Sequence, residues 1–97
     1  MNKEQALQIL RENSTTLSET YGVRKIGLFG SIVRDQLRPE SDIDIVVEID
    51  MEKKKLHNFL ALRRYLENQF GRPVDLGIES ALKPIIRDAV QHEIAYA

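Results

Sequence analysis

Gly30-Ser31 and, after ten intervening residues, Asp42-Ile43-Asp44 are the residues of this chain whose types and spacing can do chemistry. A glycine lets the backbone come close to a phosphate with no Cβ in the way. The adjacent serine adds a hydroxyl, and free N–H groups at the start of a following helix would point at the same anion. Aspartates two residues apart on a strand face the same way. Two carboxylates held that close repel each other, and a divalent cation between them removes the repulsion. Magnesium suits the pair, because it takes hard oxygen ligands and binds through a few carboxylates together with substrate phosphates. A phosphate cradle beside a metal platform implies a nucleoside triphosphate and chemistry at one of its phosphorus atoms. Asp75 is the acidic residue in the middle of another strand-like segment, PVDLGI. If that strand lies beside the one carrying Asp42 and Asp44, three carboxylates meet, enough to hold two metal ions.

The elements that must position these residues follow from apolar periodicity. Asn2–Thr20 reads as a helix, with Ala6, Ile9, Leu10 and Leu17 on one stripe and Tyr21-Gly22 ending it. Val23–Phe29 reads as a short strand, and Ser31–Leu37 as a short helix broken by Arg38-Pro39-Glu40-Ser41. In Asp42–Ile49, Ile43, Ile45, Val47 and Ile49 alternate with Asp42, Asp44, Val46 and Glu48, the pattern of a half-buried strand. Lys53–Phe70 reads as an amphipathic helix closed by Gly71, with Leu56, Phe59, Leu60, Arg63, Leu66 and Phe70 near one side. Pro73–Ile78 is a third strand. Ala81–His92 is a last helix, with Pro84 in its first turn and Leu82, Ile85, Ile86, Ala89 and Val90 expected inward. Ile94–Ala97 is ambiguous between coil and a fourth strand. The order α-β-α-β-α-β-α describes an α/β (α+β) domain, a small mixed sheet of three strands, or four, packed by helices. The short link between the first two strands favours antiparallel pairing.

Gross features agree with one small domain spanning residues 1–97. Hydrophobic residues make up 42% and charged residues 30%, ordinary for a globular domain in water. The absence of cysteine excludes disulfides and thiolate metal sites and points to a cytoplasmic home. No apolar run approaches the length of a membrane span, and MNKEQALQIL lacks the apolar stretch of a signal peptide. A formal net charge of −1 is a poor footprint for gripping long nucleic acid by its phosphates.

The stretch GLFGSIVRDQLRPESDIDIVVEID resembles the signature of the DNA polymerase beta-like nucleotidyltransferases: Gly-Ser, ten residues, then Asp-x-Asp. Four fixed positions at fixed spacing arise by chance on the order of once in a thousand chains of this length. PVDLGI matches the later strand that carries the family's third carboxylate. The ending ALKPIIRDAVQHEIAYA is similar as well, and the whole chain resembles the minimal nucleotidyltransferases of prokaryotes. That resemblance implies the polymerase beta-like fold and magnesium-dependent transfer from ATP. Many of these domains are encoded beside a HEPN-domain toxin and act as its antitoxin, which implies a hetero-oligomer. The implied reaction moves AMP from ATP to a tyrosine hydroxyl of the toxin and releases pyrophosphate. Carried over by residue, Gly30 and Ser31 would bind the triphosphate, and Asp42 and Asp44 would bind both magnesium ions. Asp75 would complete the site that activates the hydroxyl, and Arg34 would balance phosphate charge. Where the family commonly has glycine after that arginine, this chain has Asp35, which puts the local turn in question.

Plainer readings stand beside these. Arg34 could instead form a surface salt bridge, Asp75 could be an exposed strand residue, and Glu48 is expected at the surface. His57 and His92 read as surface or partly packed, Tyr65 as packing, and Tyr21 and Tyr96 as interface or nucleotide-stacking candidates. Two other functions compete: nucleotidyl transfer to a small molecule or RNA, and an antitoxin that neutralises its partner by contact alone. Relatives acting on antibiotics or RNA generally carry a second domain for the acceptor. Here the catalytic core nearly exhausts 97 residues, which favours an acceptor that brings its own surface.

Overall fold

A computed structural model describes residues 1–97. Its elements are α1 (Lys3–Glu12), α2 (Ser14–Tyr21), β1 (Val23–Phe29), β2 (Ile43–Ile49), α3 (Leu56–Phe70), β3 (Val74–Ile78), α4 (Pro84–Gln91) and β4 (Ala95–Tyr96). The sheet is mixed, in the order β3-β2-β1-β4. β1 pairs antiparallel with β2, as the short link requires, and α3 provides the crossover that makes β3 parallel to β2. The C-terminal segment does form a fourth strand, antiparallel to β1 through Gly27↔Tyr96 and Leu28↔Ala95. No helix is long and apolar enough to cross a membrane.

One sheet face carries the core. Ile43, Ile45, Val47 and Ile49 of β2 and Leu28 of β1 are buried with Leu10, Leu17, Leu62 and Leu66 from the helices. The opposite face is polar at one end. Cross-strand register makes two rows on it, Phe29–Asp44–Asp75 and Tyr96–Gly27–Val46–Gly77. Paired residues project to the same side of a sheet, so register alone brings Asp44 and Asp75 side by side.

Several expected elements differ in detail. The single helix over Asn2–Thr20 is two helices meeting at Asn13. Asn2 and Gln5 form a reciprocal capping box that starts α1. The Asn13 side-chain amide then donates to the Ile9 carbonyl at 2.8 Å and ends it. The helix expected over Lys53–Phe70 begins only at Leu56, after a 3-10 turn at Met51–Lys53. Its buried residues are Leu62, Leu66 and Phe70, whereas Leu56 is exposed. Ala81–His92 shortens to α4, and of its expected inward residues only Val90 is buried. Ile85 is 82% exposed and Ile86 47%, because α4 contributes nothing to the core cluster and these side chains line an open groove beside Gly30 and Arg34. His57 and His92 are exposed as expected. Tyr65 packs against Tyr21, with ring centroids 5.3 Å apart, and its hydroxyl donates to Asn13.

Candidate functional site

β1 ends at Phe29 and the chain turns over in a single 3-10 turn, Gly30–Ile32. The α-helix expected over Ser31–Leu37 is absent. After the 3-10 turn, the Gln36 N–H donates to the Ser31 carbonyl at 2.9 Å, and Asp35 takes a left-handed φ of 58°. That φ explains why glycine suits the position and why an α-helix cannot continue through it. The phosphate-facing N–H groups expected from a helix terminus therefore reduce to those of one tight turn.

Gly30 is required twice over. Its φ is +77°, and a Cβ there would overlap Asp44 Oδ2 and lie 3.2 Å from Asp44 Cγ. The ten-residue excursion between Gly-Ser and Asp-x-Asp returns the chain antiparallel, so that Asp44 sits opposite Phe29 and against Gly30. The spacing of the motif is thus the length of loop that places a carboxylate beside a backbone stripped of side chain.

Asp44 is half-buried and Asp75, its partner in register, is exposed. Burial raises the Asp44 carboxyl to a pKa of about 6. Repulsion from Asp75, a hydrogen bond with it and the charge of Asp42 add to the rise, and Arg34 opposes it. Asp42 lies one residue before β2 and is exposed, not within the strand as its alternation suggested. Asp44 and Asp75 adjoin each other, but no three acidic side chains converge as a ready-made metal cluster. The donor set is nevertheless all hard oxygen, and its crowded charge is what a divalent cation relieves. A magnesium ion keeps several waters and needs only one or two carboxylates plus phosphate oxygens. The residues therefore fit that ion.

Arg34 is the pairing residue that the plainer reading foresaw. Its Nη1 donates to both oxygens of Glu93, at 3.0 and 2.9 Å, and its Nε to Gln36 at 3.3 Å. Glu93 also accepts the Gly30 N–H at 2.9 Å. The Gly30 N–H holds the Glu93 carboxyl below its ordinary pKa, and Arg34 adds to the effect. Ser31 is half-buried at the mouth of the turn. Beside Gly30, Arg34 and Glu93 opens a groove of about 600 Å³ with an apolar wall of Phe29, Ile85, Ile86, Ala89 and Val90.

Sequence reasoning missed two acidic residues. Glu93 shows no local signal, since only the fold brings it to Arg34. Glu79 is 3% exposed, accepts from the Tyr96 hydroxyl and pairs with Lys25 Nζ at 3.3 Å. The Lys25 ammonium also sits 4.5 Å from the Tyr96 ring centroid. This cluster pins β4 to the sheet, which gives Tyr96 a structural task. Glu48 is half-buried rather than at the surface. It pairs with Lys54 at 3.3 Å and accepts the Ser80 N–H at 2.6 Å.

A carboxylate pair in register on parallel strands, packed against a glycine-serine turn, is a set of groups suited to a divalent cation and a phosphate. The chain belongs to the nucleotidyltransferase domain family, whose model matches residues 5–96, and it is a nucleotidyltransferase. It is 41% identical over 93 residues to the protein adenylyltransferase MntA of Thermococcus cleftensis, covering 96% of this chain and 93% of that one. A solved structure assigned as a minimal nucleotidyltransferase superposes with a TM-score of 0.81 at 30% identity, covering 98% of this chain and 95% of the other. The fold is also shared with a crystal structure of a toxin–antitoxin with AMP-PNP, at a TM-score of 0.71 and 22% identity, covering 99% of this chain and 72% of that one.

Proposed function

We propose that the chain is a magnesium-dependent antitoxin that transfers AMP from ATP to a tyrosine hydroxyl of a HEPN-family toxin. The observation that carries the reading is the Asp44–Asp75 pair in register, with Gly30 packed on Asp44. Similarity to a protein adenylyltransferase and a fold shared with a toxin–antitoxin bound to an ATP analogue support the donor and the partner. The exposed apolar side chains of Ile85 and Ile86, beside the Gly30 turn, support a protein acceptor docking at the site.

In this reading the tyrosine oxygen attacks the α-phosphorus, the bond to the bridging oxygen of the β-phosphate breaks, and pyrophosphate leaves. The Gly30-Ser31 turn holds the triphosphate, Gly30 by lacking a Cβ and Ser31 by its hydroxyl and the N–H groups that follow, and Arg34 neutralises part of its charge. Asp42 and Asp44 would hold two magnesium ions, and Asp75 would complete the set and receive the proton of the incoming hydroxyl, directly or through water. When bound, the metal supplies charge neutralisation and orientation of the reacting oxygens. The chain's own contribution is positioning and fixed charge. The test incubates the folded protein with ATP labelled in the α-phosphate, magnesium and the protein encoded by the adjacent gene. Label should appear on a tyrosine of that protein. An unlabelled neighbour overturns the assigned acceptor, and failure to bind Mg-ATP at all overturns the enzymatic reading.

A further inference from the structure

The Gly30–Arg34 side of the site carries a third member. We infer that Glu93 is a positioning residue of the triphosphate site, which fixes the Gly30 turn and holds Arg34 with part of its guanidinium presented to phosphate. The inference rests on the nucleotide-binding role proposed above for Gly30, Ser31 and Arg34.

Three geometric facts carry it. A backbone N–H donates one strong hydrogen bond, and that of Gly30 is given to Glu93 at 2.9 Å. Gly30 therefore serves as an anchor of the turn, and the donors left for phosphate are those of the residues that follow. Second, Glu93 engages only Nη1 of Arg34 and Gln36 only Nε, so the fork is held from two sides with Nη2 outside both contacts. A free arginine loses much rotamer freedom on gripping a ligand, and a side chain already fixed loses less. Third, Glu93 is itself held. It lies two residues before β4, whose Tyr96 is tied through Glu79 to Lys25. A carboxylate free to swing away would need a loose support, and this one is anchored at both flanks, by α4 and by β4.

The competing picture is a carboxylate that occupies the anion site and must be expelled by ATP. The two make opposite predictions. Glu93→Gln keeps an oxygen acceptor for the Gly30 N–H and loses the ion pair with Arg34. For a positioning residue, the Mg-ATP Kd measured by calorimetry should rise about five- to tenfold, the scale of one ordinary hydrogen bond. KM should rise with it, and kcat should change less. The Glu93→Gln effect should vanish in the Arg34→Lys background, because there is no fork left to orient. A generic loss of structure would instead add to that of Arg34→Lys. Glu93→Gln binding Mg-ATP as tightly as wild type or more tightly, or independent effects of the two substitutions, overturns the inference. Wild-type protein that binds no Mg-ATP overturns the function on which it rests, a distinct result visible before any variant is compared.

Discussion

Asp44→Asn should make the metal-free protein more stable while abolishing transfer. In the folded chain the Asp44 carboxyl titrates near 6 because it is partly buried and faces Asp75 and Asp42. At about 1.4 kcal/mol per pH unit, ionising it near pH 8 against a pKa about two units above its unfolded value costs about 3 kcal/mol. Solvent still reaches the group, so screening reduces the recoverable part to about 1–2 kcal/mol. The amide of an asparagine carries no charge and can still donate a hydrogen bond to Asp75. The sign follows from proton linkage. Between about pH 4 and 6 the folded state keeps a proton that the unfolded chain has released, so wild-type stability falls as pH rises through that window. The asparagine variant escapes that fall. Its advantage should be near zero at about pH 4 and complete by about pH 7. For a domain of this size, 1 kcal/mol moves Tm by about 4–8 °C, so melting in EDTA near pH 8 should show a gain of about 5–10 °C. Magnesium should then raise the Tm of wild type and not of the variant, since only a state that binds the ion is stabilised by it. A variant that melts lower than wild type in EDTA near pH 8, or a gain that is the same at pH 4 and pH 8, would refute the account of Asp44 as a carboxylate strained by its neighbours.

Other substitutions probe the supporting structure. Gly30→Ala puts a Cβ onto Asp44 in a left-handed backbone, and should cost about 2–4 kcal/mol in chemical denaturation and lower nucleotide affinity with it. Asp35→Gly relieves a positive φ and should stabilise the chain by about 0.5–1 kcal/mol, read as a small rise in the urea midpoint at unchanged slope. Glu79→Ala leaves the Tyr96 hydroxyl and Lys25 without their buried acceptor, and should cost about 1–3 kcal/mol. Hydrogen exchange should show the loss first at the Ala97 N–H, which bonds the Ile26 carbonyl at 3.0 Å.

What could be read from the sequence was whatever local pattern encodes. Period-two alternation at 43–49 located the strand, and the short 30–42 link gave the antiparallel pairing that sets Asp44 against Gly30. The parallel register that brings Asp75 to Asp44 was anticipated only as a conditional, because no local signal says which strands become neighbours. Glu93 and Glu79 carry no local signal for the same reason, since Lys25 lies 54 residues from Glu79 and Gly30 63 residues from Glu93. The helix at 31–37 failed on backbone chemistry, at Asp35. The misreading of α4 is of another kind. Its apolar stripe is real, and periodicity reports that a face is apolar without reporting what covers it. In α3 the expected stripe runs through Leu56 and Leu60, and packing corrects it by burying Leu62 and leaving Leu56 exposed. In α4 no such correction occurs, because the core is already filled by the helices on the other sheet face. Ile85 and Ile86 stay exposed on the wall of a groove whose other end is Gly30 and Arg34. The apolar surface and the Gly30-Ser31 turn are therefore one continuous feature, and the segment leaving α4 meets that turn through Glu93 as well as through the wall. On the function proposed above, a partner resting on α4 would press on the segment whose Glu93 holds Gly30 and Arg34, and acceptor binding would then bear on the geometry of the proposed triphosphate site.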